Sequence, residues 1–196
     1  MVSSPSKEGI QNTWIPAYAG MTGGVNNMKL TLKIELPVET KNLILEQIAD
    51  FRKLYPKFRW EPIEKYSILI HTFGESFNSK AIIKKLELAL FDKKLFYLYA
   101  YEVSLTIGNK ITLYLDFRRE KEVERISKGI KEEFQITQSS EKYVPRLTIA
   151  NYKIPSKQQY FVIKKRLTNL DIDLSFKVNK LGLFEDEKKI HSFKLL

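Results

Sequence analysis

A strand, a helix and a second strand follow one another over residues 29–73, and the same order returns over 110–151. In the first stretch Leu30, Leu32 and Ile34 alternate with Lys29, Thr31 and Lys33, the period of two that marks a half-buried strand. Pro37 and Thr40 then open a helix through about residue 55, with Leu43, Ile44, Ile48 and Phe51 on one face. The second strand is 66–73. In the later stretch, strand 110–117 leads into a helix over 120–134 carrying Val123, Ile126, Ile130 and Phe134, and then into strand 143–151. Between the two lie a helix over 79–90 and a strand over 95–106, which Gly108-Asn109 turns back into 110–117. A helix over 155–167 and strands over 173–183 and 188–195 complete the chain. Strands alternating with amphipathic helices predict a domain built of both over 28–196, and 196 residues are ample to bury a core.

Residues 1–27 read differently. Pro, Gly, Ser, Asn and Thr dominate, and Pro16, Gly20 and Gly23-Gly24 interrupt any apolar run of the length a secretory signal needs. The stretch Trp14-Ile15-Pro16-Ala17-Tyr18-Ala19-Gly20-Met21-Thr22 resembles translated repetitive elements of bacterial genomes. The expectation is a disordered N-terminal extension, with Met28 as the natural first residue.

The net charge of +10 falls entirely on 28–196, because residues 1–27 hold only Lys7 and Glu8. A domain this basic attracts polyanions through phosphate contacts and counterion release. The absence of cysteine removes thiol nucleophiles and thiolate metal sites. The two histidines, His71 and His191, lack any close-spaced ligand partner, so neither a metal nor a cofactor is expected. No apolar run reaches the roughly 18–20 residues of a membrane-spanning helix. A cytoplasmic monomer is expected.

Two strands carry the functional signal. The first is Tyr66-Ser67-Ile68-Leu69-Ile70-His71-Thr72-Phe73, preceded by Phe58-Arg59-Trp60-Glu61-Pro62; the second is Tyr143-Val144-Pro145-Arg146-Leu147-Thr148-Ile149-Ala150. With the run from Met28-Lys29-Leu30, they resemble the 2H phosphoesterase superfamily, and within it the RNA 2′,3′-cyclic phosphodiesterase / 2′–5′ RNA ligase branch. The resemblance implies a bilobal α+β fold: two pseudo-symmetric lobes of antiparallel sheet with helices on the outer faces around a central cleft. Each lobe would contribute one His-x-Thr motif. Here the first motif reads Ser67-x-Leu69 and the second Arg146-x-Thr148.

The family chemistry needs a base for water and an acid for the departing ribose oxygen. Paired imidazoles suit both tasks near pH 7. A hydroxyl two residues along a strand shares the histidine's face and, in the family, holds a phosphate oxygen. Ser67 has no adjacent base, Leu69 offers no hydrogen bond, and Arg146 stays charged below about pH 12; Thr148 alone conforms. Catalysis is therefore expected to be impaired. Arg146, Thr148 and Ser67 remain as phosphate-binding candidates, for RNA or a nucleotide with a terminal or cyclic phosphate. An arginine that is merely solvated or ion-paired is the plain alternative.

Two other functions stay open. One is a phosphodiesterase using substituted residues or His71, which shares face parity with Ser67 but lies roughly 13 Å along the strand. The other is a non-catalytic protein-interaction domain. His191, at the chain end, matches no family motif. Trp60, Phe73 and Gly74 read as framework, and Arg118, Arg119 and Lys121 as a solvated basic face.

Overall fold

The computed structural model describes residues 29–73, 78–136 and 143–196. The expected tail over 1–27, Met28 and Gly74 lie outside the described residues. Among the described residues, nine strands and five α-helices run in the order β1(Leu30–Glu35), α1(Val38–Gln47), α2(Ala49–Leu54), β2(Arg59–Trp60), β3(Ser67–Thr72), α3(Ser79–Leu90), β4(Phe96–Ile107), β5(Ile111–Phe117), α4(Lys121–Glu133), β6(Arg146–Tyr152), α5(Lys157–Leu167), β7(Leu174–Val178), β8(Lys180–Glu185) and β9(Lys188–Lys194).

The strands form two antiparallel sheets. One has the order β3-β1-β8-β9 and the other β2-β6-β5-β4-β7. Apart from the two-residue β2, each sheet has four strands in matching roles: a motif strand, the strand that opens its strand–helix–strand unit, and two more. Helices α3 and α4 pack together, α3 against β9, whereas α1 packs on β7 and α5 on β4. Helix α1 leaves the first sheet to cover the second, and α4 leaves the second to join α3. Each lobe therefore depends on a helix drawn from the other half.

The alternating residues behave as their periods require. Leu30, Leu32 and Ile34 are buried with Leu113, Leu115, Leu147 and Ile149, and with Ile82, Leu86, Val123, Ile126 and Ile130 from the helices. The opposite sheet faces carry the polar residues of the same strands.

Three expected boundaries change. The helix over 40–55 breaks at Ile48, whose backbone (φ −96°, ψ 1°) leaves the helical region; Ile44 and Ile48 are both fully buried, and tertiary packing sets the bend. The strand expected over 173–183 is two strands, because the chain leaves the second sheet at Val178 and enters the first at Lys180. The strand expected from 143 begins at Arg146. Strand β2, too short for any period, is held by pairing Arg59 with Asn151 and Trp60 with Ala150. Trp60 packs with Phe51 and Phe58, as its framework reading predicts, and Phe73 lies against Phe134.

Candidate functional site

The two motif strands share a backbone irregularity at one position. On β3, Lys33 faces Leu69 but Leu32 faces His71, leaving Ile70 as an extra residue. On β6, Tyr114 faces Thr148 but Leu113 faces Ala150, leaving Ile149 as the extra residue. Each bulge sits three residues after the first motif position, Ser67 or Arg146. The strand opposite places an acid across from that position: Glu35 faces Ser67, and Asp116 faces Arg146. Register thus relates the halves, with Ser67 matching Arg146 and Leu69 matching Thr148.

The second half gathers a coherent set on the open face of its sheet. Arg146 Nε lies 2.9 Å from Asp116 Oδ1, with the carboxylate side chain almost wholly buried and the arginine 45% exposed. The approach is close but poorly directed, and Asp116 Oδ1 has no hydrogen-bond partner among the described residues. The pair is best read as a charge contact that positions the guanidinium. The Arg146 guanidinium carbon is 5.6 Å from the Tyr114 ring centre, within cation–π range, and Tyr114 faces Thr148 across the strands. A planar, permanently charged donor beside a threonine hydroxyl suits phosphate oxygens.

The first half is differently furnished. Ser67 Oγ donates to Lys65 O at 3.2 Å, and Leu69 is 48% exposed. Ser67 lines a recess of about 270 Å³ in which Lys33, Lys41 and Lys65 are matched by Glu35, Glu64 and Glu187. Lys189 Nζ holds Glu35 at 3.0 and 3.1 Å, and Lys65 pairs with Glu187, a hydrogen bond that raises the lysine's pKa. Burial lowers the pKa of Lys33, whose ammonium lies 4.9 Å from the Phe184 ring centre. Phe184 reaches this place because Gly182 has no side chain; a Cβ there would stand 2.6 Å from its ring. Lys65 is thus held by Glu187 and Lys189 by Glu35, while Lys41 donates to the Glu64 backbone carbonyl at 3.2 Å.

Strand β3 lies beside β6. Tyr143, just ahead of β6, donates its hydroxyl to Leu69 O at 2.6 Å and ties the motif strands together. Burial pushes that phenol's pKa well above its ordinary value. Ser67 and Arg146 thus occupy matching positions on adjoining strands, each with its own set of neighbours: Lys33 and Glu35 for Ser67, Asp116 and Tyr114 for Arg146.

The bulge corrects one sequence expectation. His71 does not share the face of Ser67, because the extra residue reverses its direction. It stands opposite the core residue Leu32, contacts the Phe73 ring at 4.8 Å, and has its pKa lowered first by burial and then by Lys131 of α4. His191 lies 3.8 Å from Glu87 of α3, in the other lobe from Arg146. Arg119 pairs with Glu124 at the start of α4. Sequence reasoning missed Asp116, Glu35 and Tyr114; only the strand register discloses them.

Among the described residues, no group of three His, Asp or Glu side chains is placed to hold a metal, and no helix is long and apolar enough to cross a membrane. No protein-family profile and no curated protein sequence matches the chain. Solved structures do. Escherichia coli LigT complexed with 3′-AMP aligns with a TM-score of 0.60 at 14% identity, over 86% of this chain and 98% of that one. TT0787 of Thermus thermophilus aligns with a TM-score of 0.62 at 15% identity, over 86% and 98%. A further phosphoesterase gives 0.60 at 16% identity, over 87% and 99%. Identities this low speak for architecture, and the near-complete coverage of both partners means the whole of it is shared. This chain has the fold of the LigT-like 2H phosphoesterases.

Proposed function

We propose that this protein belongs by function with the RNA 2′,3′-cyclic phosphodiesterases and 2′–5′ RNA ligases, that it binds the phosphate of RNA or a nucleotide at β6, and that its family chemistry is impaired. The observation that carries the reading is Arg146 and Thr148 on one open face, with the guanidinium steered by Asp116 and Tyr114. LigT, which shares the fold, has been solved with phosphate, 3′-AMP and ATP; that supports a phosphate ligand here. A cytoplasmic monomer is part of the proposal, and size-exclusion chromatography tests the monomer.

Opening a 2′,3′-cyclic phosphate requires a base to take a proton from water as its oxygen attacks phosphorus, and an acid to protonate the ribose oxygen that leaves. A guanidinium is suited to neither the base nor the acid role near neutral pH, and the Ser67 hydroxyl donates to the Lys65 carbonyl. Each lost acid or base removes roughly 10²–10⁴-fold of rate. His71 turns toward the core, which counts against its use as a substitute.

Calorimetric titration with 3′-AMP and with inorganic phosphate is the test. Arg146→Ala should weaken both at least about tenfold, since hydrogen bonds to charged groups are worth about 1.5–3 kcal/mol, and added salt should weaken them further. Ser67→Ala should change little. Binding indifferent to Arg146→Ala and to salt would place the protein-interaction reading first, and robust turnover abolished by His71→Ala would overturn the loss of catalysis.

A further inference from the structure

Three tyrosines stand in a row on the open face of the second sheet. On β4, Phe96, Leu98 and Ala100 point into the core while Tyr97, Tyr99 and Tyr101 point outward, exposed by 46%, 47% and 43%. The row begins beside the candidate phosphate site. Glu102 pairs with Asp116, with Tyr101 as the extra residue of a bulge, and Tyr101 lies close enough to Asp116 and Arg146 to feel both charges. From there it runs away from Arg146 toward the start of β4. Successive rings are two residues apart, about 6.6 Å along a strand, and the whole row spans about 13 Å.

Cations accompany the rings. Arg118 lies beside Tyr99, its backbone N–H donating to Tyr99 O at 2.8 Å, and Lys177 pairs with Tyr97 on β7. Both are exposed. Exposed acids lie at the Tyr101 end of the row, Glu102 on β4 and Asp173 just ahead of β7. Tyrosine is common on the solvent side of sheets because it suits the pleated backbone. Three in succession, starting at an arginine–threonine pair and flanked by further cations, make a more particular surface. Spaced aromatic faces beside a basic track are what single-stranded nucleic acid needs, because every base has a face to stack and the phosphates follow the charges.

We propose that Tyr101, Tyr99 and Tyr97 form a stacking platform for successive bases of a single-stranded RNA whose terminal phosphate sits at Arg146 and Thr148, so that the ligand is an oligonucleotide end rather than a mononucleotide. This rests on the phosphate reading above and adds to it a length requirement. Arg118 and Lys177 would take the backbone phosphates between bases. The platform discriminates single from double strands, since the bases of a duplex are already stacked on one another.

The experiment uses the full chain and three probes: a 3′-phosphorylated tetra-adenylate, 3′-AMP, and inorganic polyphosphate of matched charge. The tetranucleotide should bind at least about tenfold more tightly than 3′-AMP. Tyr97→Ala and Tyr99→Ala should each cost on the order of tenfold for the tetranucleotide and leave 3′-AMP binding unchanged, while Tyr99→Phe keeps the ring and the affinity. In the unmodified protein, ultraviolet cross-linking should attach the tetranucleotide to peptides holding Tyr97 or Tyr99. Equal affinity for tetranucleotide and 3′-AMP, polyphosphate binding as tight as RNA, or cross-links only outside β4 would each overturn the platform. Tyrosine-dependent tetranucleotide binding without any binding of 3′-AMP or phosphate would uphold the platform and instead overturn the phosphate site.

Discussion

Strand β3 runs Ser67-Ile68-Leu69-Ile70-His71 and β6 runs Arg146-Leu147-Thr148-Ile149-Ala150, and the two differ in a revealing way. Their inward residues are alike: Ile68 and Leu147 are buried, and a bulged isoleucine comes next in each. Outward they share an acid on the partner strand across from the first position, Glu35 or Asp116, and differ in the rest. Ser67 lines a recess holding three lysines and three glutamates, while Arg146 and Thr148 adjoin a tyrosine and a buried carboxylate. Inward positions carry the stability of the fold, and outward positions carry whatever chemistry it performs. The two kinds of position vary separately because they lie on opposite faces of the same strands.

The largest expected effect comes from that separation. If the framework retains the family geometry, changing only outward side chains should create an active site. Ser67→His, Leu69→Thr and Arg146→His together supply an acid, a base and the second hydroxyl, and should raise hydrolysis of a 2′,3′-cyclic nucleotide by at least about 10²-fold over the unmodified protein. Either histidine alone should do much less, since the roles act as a pair. A triple variant that folds normally and stays inactive would mean that the strands no longer hold the reacting distance, which would break the comparison.

A smaller effect tests the inward half. Ile70 and Ile149 occupy equivalent bulges and are both buried, so Ile70→Ala and Ile149→Ala should each cost about 2–5 kcal/mol in chemical denaturation. Leu69→Ala and Thr148→Ala, one residue earlier on the open faces, should stay within about 0.5 kcal/mol of the parent. Isoleucines that differ by much more than a factor of two would show that the two lobes do not bear load equally.

The strand–helix order, the hairpin at Gly108-Asn109 and most of the core are legible in the sequence, because period-two and helical spacing survive wherever one face is buried. The bulges are not. Nothing in Ile70 or Ile149 differs from an ordinary strand residue, yet each reverses the parity of the residues after it, and that is why His71 reads as facing outward in sequence and turns inward in the fold. The break at Asn179 between β7 and β8 does leave a mark: buried apolar residues fall at even positions up to Val178 and at odd ones from Leu181, where the hydrogen-bonding partners change from β4 to β1. Arg146 and Thr148 are visible through the motif resemblance. Asp116 and Tyr114, which position the arginine, depend on register between strands and leave no trace in spacing.

The smallest expected effect separates the lobes by acid. After its bulge β3 carries His71, and β6 carries Ala150 at the same place, so only the first lobe has a titrating group turned toward the core there. Burial and the charge of Lys131 lower the His71 pKa below its ordinary 6.5. Between that lowered value and 6.5 the unfolded chain binds more protons than the folded one, so stability rises with pH across this window. The contribution is fully present above 6.5 and is lost as pH falls from 6.5 toward the folded value. Thermal unfolding of the parent should therefore weaken through that range, and His71→Phe should flatten the slope while His191→Asn leaves the His71 part intact. Amide exchange should locate the effect, with β3 losing protection at mildly acidic pH before β6 does. Equal loss in both strands, or a slope untouched by His71→Phe, would mean that acid acts on the molecule as a whole and that the bulged histidine does not set the lobes apart.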